Sequence, residues 1–341
     1  MINRQVILAA RPVGLVDATT TALVNSPRPE CGPGQALIKV GMISIDPSIR
    51  TGMNDTAGYL EPIAVGDVIR SAGAGVVVET NSPRYQVGDV VFGMTNWQEW
   101  VVAHEHNAFS IVPTGLGVDL GTMMNVLGVT GITAYFGLTD VGRLTAGDVV
   151  VVSGAAGATG SVVGQLAKAR GAAKVVGIAG GHQKCAEVVN QFGFDDCLDY
   201  REPRLAGRLR AACPDGVDVY FDNVGGEILD DVLANLALRA RVVLCGAIST
   251  YNDTEKSRGL VNTSMLITRR ARMEGFIILD YVSRFAEAQA ELAALIAGGA
   301  MRHREHLVPG LENAPAALNM LFSGANHGKT LVVVDSAVTL D

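Results

Sequence analysis

No run of apolar residues in this chain approaches the ~18 that a bilayer's hydrocarbon core requires. The opening residues, MINRQVILAARPVG, also lack the long apolar stretch and cleavage site of a secretory leader, so a cytoplasmic protein is expected. Cysteine is scarce. Cys31, Cys185, Cys197, Cys213 and Cys245 are odd in number and scattered without a C-x-x-C, which implies neither a disulfide framework nor a structural zinc site; most are expected to be small core residues. Basic clusters are missing too, and a formal net charge of −7 argues against a nucleic-acid partner. Internal repeats and low-complexity linkers are absent. What remains is ample for large cores: 341 residues, 48% hydrophobic and 18% charged, suggest two globular domains.

The stretch Val149 to Arg170, VVVVSGAAGATGSVVGQLAKAR, organises the rest. Val149 to Ser153 is the short apolar run of a buried parallel strand, and a glycine-rich turn follows it. From Ser161 the period becomes helical, with Val162, Val163, Leu166 and Ala167 on one face and Gln165 and Lys168 on the other. Strand, glycine turn and helix make a dinucleotide-binding turn. Aligned to G-x-G-x-x-G, Ala155-Ala156-Gly157-Ala158-Thr159-Gly160 has Ala in the first position, where the preceding Gly154 can supply the tight turn. Gly157 would admit a pyrophosphate and Gly160 would let helix and strand pack closely, while the helix N-terminus offers amides to the phosphates. A glycine-rich αβ corner without a ligand is the plain alternative.

The next apolar run, Lys174 to Ala179, lies about 20 residues past the turn, where an NAD-specific fold places an acid on the ribose. Here it ends in Gly180-Gly181, followed by His182, Gln183 and Lys184. Missing acid, room at Gly180 and a cation at Lys184 together argue for NADP rather than NAD. The alternative for Lys184 is a solvated position in the next helix.

Residues 1 to about 124 read mainly as β, a barrel or compact sheet with strands at 35–40, 74–79, 89–93 and 97–102, and Val87-Gly88-Asp89 as a tight turn. From about Asn125 the pattern alternates: a helix at 127–138, strands at 197–199, 218–222, 241–246 and 273–279, and helices at 228–238 and 284–297. Such alternation builds an α/β, doubly wound parallel sheet with ligands beyond the strands' C-terminal ends. Asn223, Gly246 and Tyr251 lie at or past such ends. The tail from 301, with a strand at 329–335, is too short to stand alone and is expected to return to the first domain. That divides the chain into 1–124, a nucleotide-binding 125–300 and a returning 301–341, with the ligand cleft between the domains.

The segments VVVVSGAAGATGS, LGVTGITAYFGL, FDNVGGEILD and CGAISTYN resemble the zinc-independent medium-chain dehydrogenase/reductase superfamily. SIDPSIR with Met53, WQEW at Trp97 and FSGANHGKTLV make the chain similar to its leukotriene B4 dehydrogenase/prostaglandin reductase branch, the alkenal double-bond reductases, over nearly the whole length. The resemblance implies a GroES-like β-barrel domain with a Rossmann domain, usually dimeric through the latter. It implies NADP(H) as cofactor and hydride transfer to the β-carbon of an α,β-unsaturated ketone or aldehyde. It places 2′-phosphate contacts on Lys184 and Tyr200, the nicotinamide side near Asn223, a hydrogen-bonding tyrosine at Tyr251 and a nicotinamide-end asparagine at Asn326. Ser48 replaces the family's usual tyrosine in the segment that reads DPSIR here, removing an aromatic from the substrate's surroundings.

An enone needs no zinc if donors stabilise the developing enolate oxygen, and Tyr251 supplies such a donor or simply packs on the cofactor. For zinc, the first domain offers Cys31, His104 and His106. His104 and His106 would share one strand face without the third ligand of a catalytic site, so a half-exposed strand edge is expected instead, and an alcohol dehydrogenase is disfavoured. His303 and His306 read as solvated. An enone reductase is therefore expected, with a quinone reductase and a non-enzymatic NADPH-binding scaffold as alternatives. The loops at 46–59 and 251–266 are expected to shape the substrate pocket. The apolar 273–279 strand is expected to pair with its copy in a homodimer.

Overall fold

The computed structural model describes residues 1–56, 58–113, 118–255 and 259–339, and the elements and counts given are of these residues. Two compact units emerge, Met1–Met124 with Glu305–Asp341, and Asn125–Arg304.

The chain begins with strands β1 (Ile2–Leu8), β2 (Thr21–Pro27) and β3 (Ala36–Ser44), then a short helix α1 (Ser48–Gly52). Strands β4 (Gly73–Thr80), β5 (Val90–Gly93), β6 (Trp100–Ala103) and β7 (Ser110–Ile111) and helix α2 (Leu120–Met124) complete this stretch. The strand expected at 97–102 starts only at Trp100. Before it, Trp97 is fully buried, its amide donating to the Ile69 carbonyl and its carbonyl accepting the Val6 amide, and Gln98 forms only an isolated bridge with Gln5. Gly88, at φ +96°, makes the tight turn before β5.

In the second unit, helix α3 (Val129–Phe136) continues as a π-turn over Gly137–Val141, somewhat beyond the expected 127–138. Then follow β8 (Val149–Ser153), α4 (Ala158–Ala169), β9 (Lys174–Ala179), α5 (His182–Asn190), β10 (Asp196–Asp199), α6 (Leu205–Ala212), β11 (Val217–Asp222) and α7 (Gly226–Leu233). Strand β12 (Leu236–Leu244), helix α8 (Ser264–Arg269), strand β13 (Arg272–Gly275) and helix α9 (Phe285–Ala297) close the unit. The strands pair in parallel in the order β10-β9-β8-β11-β12-β13, a doubly wound sheet. Runs such as VVVVS and VDVYFD are buried nearly throughout because helices cover both faces. Helix α7 turns Leu229, Val232 and Leu233 into a core with Val151, Val176 and Tyr220, the i, i+3, i+4 spacing expected of an amphipathic helix.

Four expectations are corrected here. The helix expected from Ser161 begins at Ala158, with Gly157 as its N-cap. Gln165, expected on its polar face, is buried: its amide donates to the carbonyls of Ser161 and Arg302, and its oxygen accepts from the Arg302 amide at 2.7 Å. The helix expected over 228–238 ends at Leu233. Asn235 then gives its carbonyl to Val217, and Leu236 already lies in the sheet beside β11. The strand expected at 273–279 stops at Gly275. Tyr281 stacks on Phe136 at 4.5 Å with Phe276 edge-on at 6.3 Å, and this aromatic packing draws 278–284 into a 3₁₀ helix at the sheet's outer edge.

The tail adds β14 (Glu305–Pro309), α10 (Ala314–Ser323) and β15 (Lys329–Val333) to the first unit. Its sheet runs β14-β15-β3-β4-β5-β7, with β6 also on β3 and β1-β2 as a separate pair. Strand β3 is its spine, and register shifts at Leu37/Ile38 and Val40/Met42 bend it. Ile43, Trp97, Leu8, Leu318 and Val332 share the unit's core. No described helix is long and apolar enough to cross a membrane.

Gly164 tests this packing, since a Cβ there would lie 1.9 Å from the Phe194 ring. Helix propensity alone would make Gly164→Ala stabilising by about 1 kcal/mol. The expected outcome is the opposite, a loss of about 1–3 kcal/mol from overpacking, read from the denaturant midpoint.

Candidate active site

Gly154 takes φ +61° directly after β8, so the tight turn sits one residue before the motif's first position. Ala155 is thereby freed from that task; it is fully buried, and its amide donates to Ile178 across the sheet. A Cβ on Gly160 would lie 2.3 Å from the Gly154 carbonyl oxygen, so only glycine lets α4 approach the turn. Gly157 has the extended geometry of an N-cap, and α4 has neither a side-chain cap nor an acid in its first turn. Gly154, Ala156, Gly157, Ala158, Thr159 and Gly160 thus form a backbone cradle at a helix N-terminus, where amides and the helix dipole favour a phosphate.

A second group of residues gathers at the ends of β9 and β10. Gly180 is pressed against the Tyr200 ring, which lies 2.8 Å from where a Cβ would stand. Gly181, at φ +95°, caps α5, and Lys184 follows in the first turn. Lys184 is half-buried. Burial, with the Arg201 guanidinium nearby, holds its pKa below the ordinary lysine value. Arg201, which the sequence reading did not single out, brings Nη1 within 3.3 Å of the position a Gly181 Cβ would take. The signal available was a basic residue one past Tyr200. An acid does come close: Asp199 ends β10, but its Oδ1 accepts the amides of Gly181 (2.9 Å) and Arg201 (3.0 Å). Slight burial pushes its carboxyl up, yet those amides and the Arg201 and Arg208 charges prevail and hold it below the usual range.

At the point where strand order reverses, between β8 and β11, the sheet is tied by Asp222. This carboxylate is fully buried, and its Oδ1 accepts Ser153 Oγ (2.8 Å), Tyr220 OH (2.7 Å) and the amides of Val224 and Gly225 (both 3.0 Å). Burial pushes the carboxyl up against these donors, and raises Tyr220 well above its ordinary value. Asn223 is fixed by the same tie: its amide donates to Ser153 Oγ at 2.9 Å and its Nδ2 to the Ser153 carbonyl at 2.7 Å. The Asp222 carbonyl accepts the amides of Cys245 and Gly246, which carries the chain past β12 beside Asn223. A Cβ on Gly246 would lie 3.2 Å from the Tyr251 hydroxyl, which itself accepts the Ala247 amide at 3.1 Å. Gly225, Gly246, Ala247, Tyr251, Leu229 and Leu260 help line a pocket of ≈ 430 Å³.

Other expected residues lie elsewhere. Asn326 belongs to the first unit, where its Nδ2 donates to the Gly328 carbonyl at 3.1 Å. Ser48 is exposed at the start of α1, whereas Arg50 is buried, binding the Gly14 carbonyl and Asn54. Lys329 is buried against Asp46, a pairing that was not foreseen. Of the two loops expected to shape the pocket, Ala57 and residues 256–258 lie outside the described residues. The strand edge expected at His104-Glu105-His106 is instead a turn closed by His104 and Asn107, in which the His106 amide donates to His104 Nδ1. Among the described residues, no three His, Cys, Asp or Glu side chains gather as metal ligands would.

Comparison with known proteins adds independent findings. A family model described as the N-terminal domain of oxidoreductase matches residues 4–111, and one described as zinc-binding dehydrogenase matches 158–294. The chain is 42% identical to the putative NADP-dependent oxidoreductase YfmJ of Bacillus subtilis (strain 168), covering 97% of this chain and 98% of that protein. It is 39% identical to the 2-alkenal reductase (NADP(+)-dependent) of Nicotiana tabacum, covering 97% of both. The crystal structure of CurA in complex with NADPH from Vibrio vulnificus superposes with a TM-score of 0.92 at 38% identity, over 98% of this chain and 99% of that one.

Asp222→Ala would strand the Ser153, Tyr220, Val224 and Gly225 donors. The expected cost is about 3–5 kcal/mol, against about 1–3 kcal/mol for Ser153→Ala, both read from denaturant midpoints.

Proposed function

Because this chain belongs to the zinc-independent medium-chain dehydrogenase/reductase superfamily, in its branch of NADP-dependent alkenal, curcumin and prostaglandin reductases, we propose that it uses NADPH to reduce the C=C bond of α,β-unsaturated ketones or aldehydes. The observation that carries this reading is the meeting of Lys184, Tyr200 and Arg201 around Gly180 and Gly181, where a 2′-phosphate would meet two cations. The glycine cradle at α4 fits the pyrophosphate, since a side chain at Gly160 would close it. Asn223, held at the reversal point of the sheet by Ser153, is assigned to the nicotinamide side, and the family resemblance assigns Asn326 to the nicotinamide end.

When bound, NADPH supplies the hydride that the substrate's β-carbon accepts. The protein's part is orientation and one well-placed donor. Tyr251, with its oxygen fixed by the Ala247 amide, donates its hydroxyl hydrogen to the carbonyl oxygen as negative charge develops there. The proton that completes the α-carbon comes from solvent or a donor in the cleft. Ser48 leaves the substrate's surroundings without the family's usual tyrosine. A quinone reductase is the second reading, which the loss of that tyrosine accommodates equally.

NADPH oxidation is expected on linear enals and cyclic enones, slowly or not at all on quinones. Tyr251→Phe should lower turnover by up to about 10²-fold while leaving NADPH binding in place. Turnover on quinones alone would replace the first reading by the second.

A pH series separates the phosphate anchor from the rest. A lysine with a depressed pKa loses its charge earlier as pH rises, so NADPH affinity should begin to fall at a pH below Lys184's ordinary 10.5. NADH affinity should not follow, and Lys184→Arg should remove the decline, both read by cofactor fluorescence titration.

A further inference from the structure

Helix α5 and strand β10 deliver the phosphate anchors, and each also carries a cysteine with no part in the reduction. Cys185 directly follows Lys184, and Cys197 precedes Tyr200 and Arg201 by three and four residues. Cys197 pairs with Gly177 of β9, and its sulfur lies 3.3 Å from the position a Gly177 Cβ would take; Val188 of α5 comes within 2.8 Å of the same point. Cys185 is one helical turn before Val188 and so faces the same way. There its buried thiol lies beside the partly exposed Cys197 thiol.

Their surroundings make the two sulfurs unequal. The neighbouring Cys197 thiol holds Cys185 below its ordinary pKa, while the same neighbour and burial raise Cys197. The remaining buried thiols go the other way: burial pushes Cys213 up to about 11 and Cys245 up to about 12. Cys31 is occupied with the Gln35 carbonyl. Thiolate character, not sulfur alone, sets reactivity towards oxidants.

We propose that Cys185 and Cys197 are a reversible oxidation site, closing to an intrachain disulfide under a hydroperoxide and thereby displacing Lys184, Tyr200 and Arg201 from their places around Gly180 and Gly181. The second half rests on the reading of those three side chains as the 2′-phosphate anchors. In the first step the Cys185 thiolate attacks the hydroperoxide's terminal oxygen; the O–O bond breaks, the alkoxide takes a proton, and Cys185 becomes a sulfenic acid. In the second the Cys197 sulfur displaces the hydroxyl, which leaves as water with the Cys197 proton. Two thiols lose two electrons, and the hydroperoxide is reduced to an alcohol and water. A disulfide sets its sulfurs about 2 Å apart, closer than two unbonded thiols can approach, so closing it draws α5 and β10 towards each other.

The test treats the full-length reduced protein with hydrogen peroxide, maps its peptides and titrates NADPH and NADH by fluorescence. A Cys185–Cys197 linked peptide is expected, with the NADPH Kd raised about tenfold, the NADH Kd unchanged and full reversal by dithiothreitol. Cys197→Ser should bind NADPH as the reduced protein does and should resist the change. If both thiols remain open to alkylation after peroxide, the oxidation site is overturned. A linked peptide with an unchanged NADPH Kd, or with NADPH and NADH weakened alike, overturns the coupling to the phosphate anchors. Lys184→Ala in the reduced protein is the control: an unchanged NADPH Kd there overturns the anchor reading itself, while the linked peptide still decides the disulfide.

Discussion

A single buried carboxylate holds the ligand-facing end of the parallel sheet together. Ionised groups in an apolar interior are costly unless nearly every lone pair is satisfied, and Asp222 meets that condition with hydroxyls from two strands and amides from its own turn. Because Ser153 at the end of β8 both donates to Asp222 and accepts from Asn223, the two strands flanking the reversal point are joined. The backbone carbonyl of Asp222 then steers Cys245 and Gly246, and with them the loop that carries Tyr251. Positions of Asn223, Gly246 and Tyr251 are therefore not three independent features; they follow from one desolvated charge and its donors.

The two outer strand ends solve a different problem. There an anion must be attracted, and a free carboxylate would repel it. Asp199 is committed to the amides of Gly181 and Arg201, so it shapes the turn while its charge is offset. Burial and the nearby Arg201 guanidinium disfavour the charge on Lys184, an arrangement that an incoming dianion would relieve. Glycine at 180 lets Tyr200 lie flat against the backbone, and the left-handed Gly181 turns the chain into α5 so that Lys184 comes round to the same place. The proposed exchange of a ribose-binding acid for phosphate-binding basic groups rests on three residues and two glycines.

Much of this was legible in the residues. The apolar run, Gly154, Gly157 and Gly160, and the period change after them are local signals, complete within about twenty positions, and the structure keeps them with a helix start three residues earlier. The alternation that gave a doubly wound sheet is equally local, because a strand buried on both faces and a one-faced helix differ in period. The errors have the same root. Leu236 to Leu238 suit either a helix face or a strand, and Phe276 to Leu279 suit a strand or a turn; only Asn235's partner on β11 and the Phe136–Tyr281 stack choose between them.

What the sequence determined by itself was the order of elements, the nucleotide turn and the swap of acid for cation beyond β9, since each is written within one or two turns of chain. Tertiary structure alone decided which polar groups would be spent on the fold. Gln165 is buried by a contact 137 residues away, and Ser153 is bound to Asp222 across 69. Arg201 came to stand beside Gly181, and Asp199 became a turn-former, only when β10 came to lie beside β9. Periodicity reports which face of an element is buried, but a hydrogen bond needs its partner's position, and that exists only once the sheet has assembled.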